Sequence, residues 1–184
     1  MVRPPKTKRT KRTLATIGTA AFLSLSAAIG APYTLYKEGM RLKPYYDSAG
    51  VKTVCAGETS RTAVEKVAYT YDECKSLFAT QYGYYSTRVS YMYNDTARAL
   101  ITPKTHAAFT DMGYNIGLPA LKKSSMIREA NNGRLKQACD AILRYKYITR
   151  SGTKYDCSTP NNKICYGLWV RRLELHDMCL GGIE

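Results

Sequence analysis

Residues 13–36 constrain this chain more than any other feature, because no charged side chain occurs among these 24 positions. Arg12 and Lys37 bound the run on its two sides. As a helix rising about 1.5 Å per residue, the run would extend roughly 36 Å, which exceeds the membrane's hydrocarbon thickness of about 30 Å. The run is therefore long enough to cross a membrane once, and we treat it as a separate segment.

A basic tail precedes this segment. The first twelve positions contain no acid and six cations: Arg3, Lys6, Lys8, Arg9, Lys11 and Arg12. Because positively charged flanks stay in the cytoplasm, the tail predicts a cytoplasmic N-terminus and places Glu38 and all later residues on the other side. We divide the chain into a tail over 1–12, a membrane or signal segment over 13–36, and one globular domain over 37–184.

The segment is only weakly apolar for a permanent anchor. Its large apolar side chains are separated by many Ala, Gly, Ser and Thr residues: Leu14, Ile17, Phe22, Leu23, Leu25, Ile29 and Leu35. One interpretation is a cleavable signal peptide with small residues near Ala28 or Ala31. The other is an uncleaved segment that inserts and later leaves the bilayer. We favour the second, because cleavage after Ala31 would leave Pro32 directly beyond the cut.

Six cysteines lie downstream of the segment, and their even number favours disulfide bonds in an oxidising compartment. The sequence does not select among the possible pairings, although a turn-rich stretch between Cys157 and Cys165 suits a local bridge. We expect three pairs: Cys55–Cys74, Cys139–Cys179 and Cys157–Cys165. With no C-x-x-C pair and with His106 and His176 lacking partners at ligand spacing, we expect no metal and no cofactor.

The net charge of +14 indicates an anionic partner, and the tail accounts for only part of it. Nucleic acid, anionic lipid and the acidic bacterial wall all suit a basic surface. Sixteen tyrosines leave the choice open, since aromatic rings stack on nucleobases and on sugar faces alike. Composition therefore does not identify the partner, and a chemically defined site is needed.

Two carboxylates, Glu38 and Asp47, flank a predicted change of secondary structure. Helix-breaking residues from Pro44 onward and alternating side chains over 51–55 predict a helix end followed by a β-hairpin. Glycoside hydrolysis needs a carboxylic acid that protonates the leaving oxygen and a carboxylate that activates water, and Thr53 could help to hold that water. Taken alone, the spacing does not separate this pair from ordinary surface carboxylates.

Three blocks of sequence together resemble the phage lysozymes of glycoside hydrolase family 24, the endolysins that cut peptidoglycan. The blocks occur in the family's order, over 36–59, 106–117 and 167–175. The second block reads HAAFTDMGYNIG and the third reads GLWVRRLEL. The resemblance extends from about residue 36 to residue 180, and three ordered blocks are more specific than one spacing.

The resemblance implies the fold and the chemistry. The expected fold is α+β and mostly helical, with a small β-hairpin lobe after Glu38 and a helical lobe as the other wall of the cleft. Glu38 would be the general acid, and Asp47 and Thr53 would handle the attacking water. The reaction would be hydrolysis of the bond from N-acetylmuramic acid to N-acetylglucosamine. Asn115 is implied as a substrate contact, with helix capping as its alternative role.

Glu58 departs from the family pattern, in which many members carry His between the Gly and Thr that end the first block. We leave Glu58 outside the catalytic set. It is expected to be either a structural residue or a third carboxylate that lines the cleft.

Residues 13–36 are similar to the signal-anchor-release segments of lambdoid-phage endolysins, which export an inactive, tethered enzyme and later free it. The resemblance implies an enzyme in the host inner membrane, facing the periplasm, that becomes periplasmic after release. It also implies a monomer whose partner is peptidoglycan and which binds no nucleic acid. The segment contains no Cys, so thiol exchange is not the expected switch. The alternative is a non-catalytic cationic protein that binds wall, membrane or nucleic acid.

The rest of the chain is predicted to be helical. Apolar periodicity and capping residues predict helices over 70–93, 102–117, 119–133, 134–147 and 168–178. Trp169 is expected in the core. Arg171 and Arg172 are expected to be structural or to face the wall.

Overall fold

The computed structural model describes residues 13–46 and 50–183. The tail over 1–12 and Asp47 therefore lie outside the described residues. The helices are α1 (Leu14–Ile17), α2 (Thr19–Glu38), α3 (Arg61–Glu65), α4 (Tyr71–Ser90), α5 (Asp95–Leu100), α6 (Pro103–Ile116), α7 (Leu118–Lys122), α8 (Ser125–Asn131), α9 (Leu135–Asp140) and α10 (Tyr166–Leu180). The strands are β1 (Arg41–Tyr46), β2 (Lys52–Cys55), β3 (Tyr147–Arg150) and β4 (Thr153–Asp156).

Helix α6 lies at the centre of the molecule. Its start follows from local chemistry, because the Thr102 side chain accepts a hydrogen bond from the Thr105 backbone and Pro103 occupies the first turn. Nine consecutive residues, from Thr105 to Gly113, are buried. Helices α2, α4 and α10 pack around it. The mostly helical architecture is thus confirmed, and α6 organises its larger lobe.

The predicted change from helix to hairpin occurs at Glu38, which is the last residue of α2. Gly39 stops the helix with a φ of +72°, a left-handed conformation that glycine adopts without steric cost, and its N–H donates to the Leu35 carbonyl. Strands β1 and β2 then pair antiparallel, with Tyr45 opposite Thr53. The small β-hairpin lobe therefore begins directly after the helix that ends in Glu38.

Helix α2 contains most of the uncharged segment and continues past residue 36, the predicted boundary of the globular domain. Its buried residues recur every four positions, at Phe22, Ser26, Gly30 and Thr34. This spacing puts them on one face, which packs against α6. None of the helices in the described residues combines the length and apolar character that a membrane span requires.

Gly30 permits the close approach of α2 to its neighbours. A Cβ at this position would lie 2.0 Å from Tyr82 Oη and 2.9 Å from the Ala107 side chain, closer than side-chain atoms approach one another. The small residues that make the segment weakly apolar thus also allow its inner face to pack closely against α4 and α6.

All three expected disulfides are present. Cys55–Cys74 joins β2 to α4, Cys139–Cys179 joins α9 to α10, and Cys157–Cys165 closes a loop between β4 and α10.

The helix predicted over 134–147 is wrong in its second half. Helix α9 ends at Asp140, a 3₁₀ turn covers Ala141–Arg144, and the chain then forms the β3–β4 hairpin. The two turn residues, Ser151 and Gly152, have φ of +50° and +75°, and left-handed residues at both central positions define the two-residue turn that suits a twisted hairpin. The Ser-Gly turn flanked by Thr and Tyr residues is the signal that periodicity alone did not reveal.

Candidate active site

Glu38 is held by an arginine from the far end of the chain. Arg171 Nη2, on α10, donates a 2.8 Å hydrogen bond to Glu38 Oε1. The Glu38 side chain is 23% exposed, so it is open to a ligand from one side while being fixed from the other. The helix end supplies the position of Glu38, and Arg171 supplies its orientation.

Asp111 anchors Arg171 in turn. The guanidinium donates from Nε to Asp111 Oδ1 at 2.9 Å and from Nη2 to Asp111 Oδ2 at 3.0 Å. Asp111 is fully buried in α6 and also accepts a 2.9 Å hydrogen bond from Thr34 Oγ1 of α2. Burial alone lowers the pKa of Arg171, but the bonds to Asp111 and Glu38 outweigh it, so the net pKa lies above the ordinary value. Three helices thus meet at one buried charge network.

The expectation that Arg171 is structural agrees with its burial and its pairing with Asp111, but the sequence did not reveal its contact with Glu38. Sequence reasoning also missed Asp111 and Thr34. A signal for Asp111 was present, since it is the only Asp, Glu, Lys or Arg within residues 105–117 of a predicted helix, and a buried acid needs a cationic partner.

A second set of contacts fixes the last turn of α2 against α10. Tyr33 Oη donates to Glu174 Oε2 at 2.8 Å, and Lys37 Nζ lies 2.5 Å from the same oxygen. Burial and the hydrogen bond to Glu174 raise the pKa of Tyr33. The backbone that carries Glu38 is therefore clamped to the helix that carries Arg171.

Thr53 lies on β2 with only 3% of its surface exposed. Its hydroxyl donates to the Val51 carbonyl at 2.9 Å. Asp47 would follow Tyr46, the last residue of β1, but it falls outside the described residues. Glu38 and Thr53 are thus located on the helix end and on the adjoining hairpin, and the position of Asp47 stays a prediction.

Glu58 closes the turn after β2. Its Oε1 accepts the Ser60 N–H at 2.6 Å, and its backbone pairs with Val54. Tyr114 lies nearby, with Oη 2.7 Å from the Ala56 carbonyl oxygen. Burial, followed by the charges of Glu38 and Glu58, raises the pKa of Tyr114. The hydrogen bond to Ser60 gives Glu58 a structural role.

Asn115 has partners inside the protein. Its side-chain oxygen accepts from Arg172 Nη2, and Arg172 Nε donates to the Tyr145 carbonyl at 2.9 Å. Arg172 is buried and structural, as expected. A contact between Asn115 and substrate remains a prediction.

His106 is a buried core residue. Its ring nitrogens hydrogen-bond Ser86 Oγ and Tyr93 Oη, and the Phe22 ring packs against it. Burial lowers the pKa of His106 to about 3, so the ring is neutral at physiological pH. Trp169, expected in the core, is instead only partly buried and lines an open groove.

The fold and the site define a phage-type lysozyme. The family model described as phage lysozyme matches residues 36–174, and the chain belongs to that family. The chain is 32% identical over 145 residues to a SAR-endolysin of bacteriophage PS119, covering 79% of this chain and 77% of that protein. A SAR-endolysin of enterobacteria phage P21 is 29% identical over 180 residues, covering 97% and 98%.

Among solved structures, the endolysin from Escherichia coli O157:H7 phage FAHEc1 superimposes with a TM-score of 0.67. The identity is 24%, over 82% of this chain and 90% of that one, so this likeness concerns the fold. Family membership makes the protein a glycoside hydrolase of the muramidase type, with peptidoglycan as its substrate.

Proposed function

We propose that Glu38 is the general acid of this muramidase, and that Asp47 and Thr53 bind and activate the attacking water. In this mechanism Glu38 gives its proton to the glycosidic oxygen as the bond to the anomeric carbon breaks. The water oxygen then bonds to that carbon while a water proton passes to Asp47. The observation that carries the proposal is the Glu38 carboxyl group, which Arg171 holds at the start of the hairpin lobe and which is partly exposed.

Arg171 acts in this proposal as a positioning residue. It keeps two bonds to Asp111 that do not involve Glu38, so the guanidinium stays in place when substrate displaces the Glu38 contact. Glu38 is then free to take up and donate a proton, while Thr34 and Asp111 keep the end of α2 in register.

Glu38→Gln tests the chemistry. A glutamine amide cannot act as a general acid near neutral pH, and loss of a general acid typically lowers the rate by about 10² to 10⁴. Clearing of a wall suspension should therefore vanish. Glu58→Gln is the matched control, because its amide oxygen still accepts from Ser60 and clearing should persist. Full clearing by Glu38→Gln would instead support the cationic, non-catalytic alternative.

We further propose that the protein is exported, tethered through residues 13–36, and released intact as a periplasmic monomer that binds no nucleic acid. The uncharged run and the basic tail support tethering, and the two relatives described above carry the name SAR-endolysin. Mass analysis of the periplasmic protein tests release. A chain that begins at Met1 supports it, and one that begins near Ile29 or Pro32 means cleavage.

Tethering would leave the site incomplete. Gly30, Tyr33 and Thr34 pack or bond against α4, α6 and α10, and these contacts are lost while the same residues lie in a bilayer. The end of α2 would then lack its connection to Asp111. We infer that Glu38 is correctly placed only after release.

The outward face of α2 offers a test that does not touch these contacts. Ala20, Ala21, Ser24 and Ala28 are exposed, so replacing all four with Leu makes the segment more apolar without altering its packing face. The variant should stay in the membrane and fail to digest the wall. After extraction and refolding without membrane it should digest the wall at the rate of the unmodified protein. Digestion by the tethered variant at the released rate would contradict the proposal.

A further inference from the structure

The loop closed by Cys157–Cys165 borders an open groove of about 600 Å³ on the surface of the helical lobe. Asn161, Lys163, Tyr166 and Trp169 line it. Tyr166 is 47% exposed, and Trp169 is partly buried, so the indole is recessed within the groove. Two aromatic faces, a cation and an amide thus converge on one depression outside the Glu38 site.

Asn162 lines the groove, but its polar atoms are used in hydrogen bonds that hold the loop in place. Asn162 accepts from the N–H groups of Ile164 and Cys165 and donates to the Asp156 carbonyl at 2.7 Å. The groove is therefore preformed, and little ordering cost opposes binding there.

Four of the polar groups that line the groove lack protein partners. Among residues 13–46 and 50–183, no hydrogen bond or ion pair engages the Asn161 amide, the Lys163 ammonium, the Tyr166 hydroxyl or the Trp169 indole N–H. Four donors that face one groove without partners are available to a ligand. The aromatic faces suit the apolar faces of sugar rings, and Lys163 suits a carboxylate.

The surroundings favour a ligand with negative charge. Residues 144–166 contain five cations, and their single acid, Asp156, is paired with Lys146. Asn161 and Lys163 also border a second groove at the same loop, which Lys154 lines as well. Because Trp169 is only partly exposed, a flat lipid surface would reach less of its ring than a sugar ring that enters the groove.

We propose that this groove is an accessory wall-binding site that takes a sugar ring together with a carboxylate of the peptidoglycan stem peptide. The proposal rests on peptidoglycan being the substrate. Tyr166 and Trp169 begin the same helix that carries Arg171, and residues 166–171 span roughly 8 Å along its axis. Because Trp169 and Arg171 lie about 200° apart around this helix, contact with both sites requires two different strands of the insoluble wall, which gives two attachment points and a higher effective affinity.

Binding is tested in the full chain with Glu38→Gln, which holds wall without cutting it. Trp169 is the only tryptophan, so its emission reports on the groove directly. Soluble wall fragments that carry stem peptide should shift this emission in a saturable manner. Adding Trp169→Ala should weaken pelleting with purified sacculi about tenfold, as removal of a buried aromatic contact does. Lys163→Gln should weaken it less, with a difference that shrinks at high salt.

Tyr91→Ala and Lys75→Gln are the matched controls, since each removes an exposed aromatic or cationic residue elsewhere. If Trp169→Ala and Lys163→Gln bind sacculi as well as the control variants do, the proposal is overturned. So does an emission shift with phosphatidylglycerol vesicles but not with wall fragments. Because the emission titration uses unaltered Trp169, it remains decisive if Trp169→Ala fails to fold. Failure of the unmodified chain to clear wall would instead overturn the catalytic function.

Discussion

Arg171 and Glu38 are joined by a 2.8 Å hydrogen bond although 133 positions separate them in sequence. The bond connects the end of the uncharged segment to the last helix, and it passes through the same guanidinium that neutralises Asp111. Placement of the proposed catalytic acid and stability of the core are therefore coupled through one side chain.

Arg171→Met should destabilise the protein strongly. It leaves the fully buried Asp111 without its cation, and removing one partner of a buried ion pair costs about 3 to 5 kcal/mol. Adding Asp111→Asn should restore part of the free energy of unfolding, because the unpaired charge is then gone. Arg61→Met is the control, since its pair with Glu65 is exposed and contributes about 1 kcal/mol or less. Chemical denaturation of the unmodified protein and of these three variants measures the differences, and a double variant no more stable than Arg171→Met would refute this explanation.

Gly30→Ala should lower stability, because the added methyl group overlaps Tyr82. Overpacking of this kind costs roughly 1 to 3 kcal/mol. Gly83→Ala, on the exposed side of α4, meets no atom within 4 Å and should stabilise the protein by up to about 1 kcal/mol through helix propensity. Thermal unfolding midpoints should move in opposite directions. A rise for both variants would show that α2 does not pack as described.

Stability should fall as the pH drops below about 6.5. The folded-state pKa of His106 is about 3, against an ordinary value of 6.5, so between these values the unfolded chain binds the extra proton. The slope approaches about 1.4 kcal/mol per pH unit, whereas carboxylates contribute mainly below about pH 4.5. Unfolding free energies from pH 7 to 4.5 should thus decrease in the native protein and stay flatter in His106→Gln. Parallel curves would contradict the burial of a neutral ring.

The disulfides should differ in their contribution to stability. Cys139 and Cys179 are 40 positions apart, and Cys157 and Cys165 are 8 apart. On the chain-entropy account these loops correspond to roughly 4 and 2.5 kcal/mol. Replacing each pair with Ser and measuring unfolding should give the larger loss for Cys139–Cys179. The reverse order would mean that the shorter bridge supports more of the fold than its own loop.

The sequence predicted the parts of this molecule that depend on local chemistry. The helix end at Glu38, the hairpin after it and the Thr102 cap follow from residues within a few positions of one another. The contact of Arg171 with Glu38 could not be predicted in this way, because it depends on how α10 packs on α6. The prediction that Trp169 lies in the core was wrong for the same reason. A tryptophan gives the same apolar pattern in a helix whether it faces the core or an open groove.

The inner face of α2 limits how a protein of this design can change. Ser26, Gly30 and Thr34 are buried in the interior of the enzyme, so larger side chains at these positions would disrupt the packing of α2 against α6. If residues 13–36 tether the enzyme as proposed, the affinity of α2 for a bilayer can be adjusted independently only at the outward positions. Under the proposed tethering, the timing of release and the integrity of the enzyme are encoded on opposite sides of one helix, and a mutation that delays lysis need not impair catalysis.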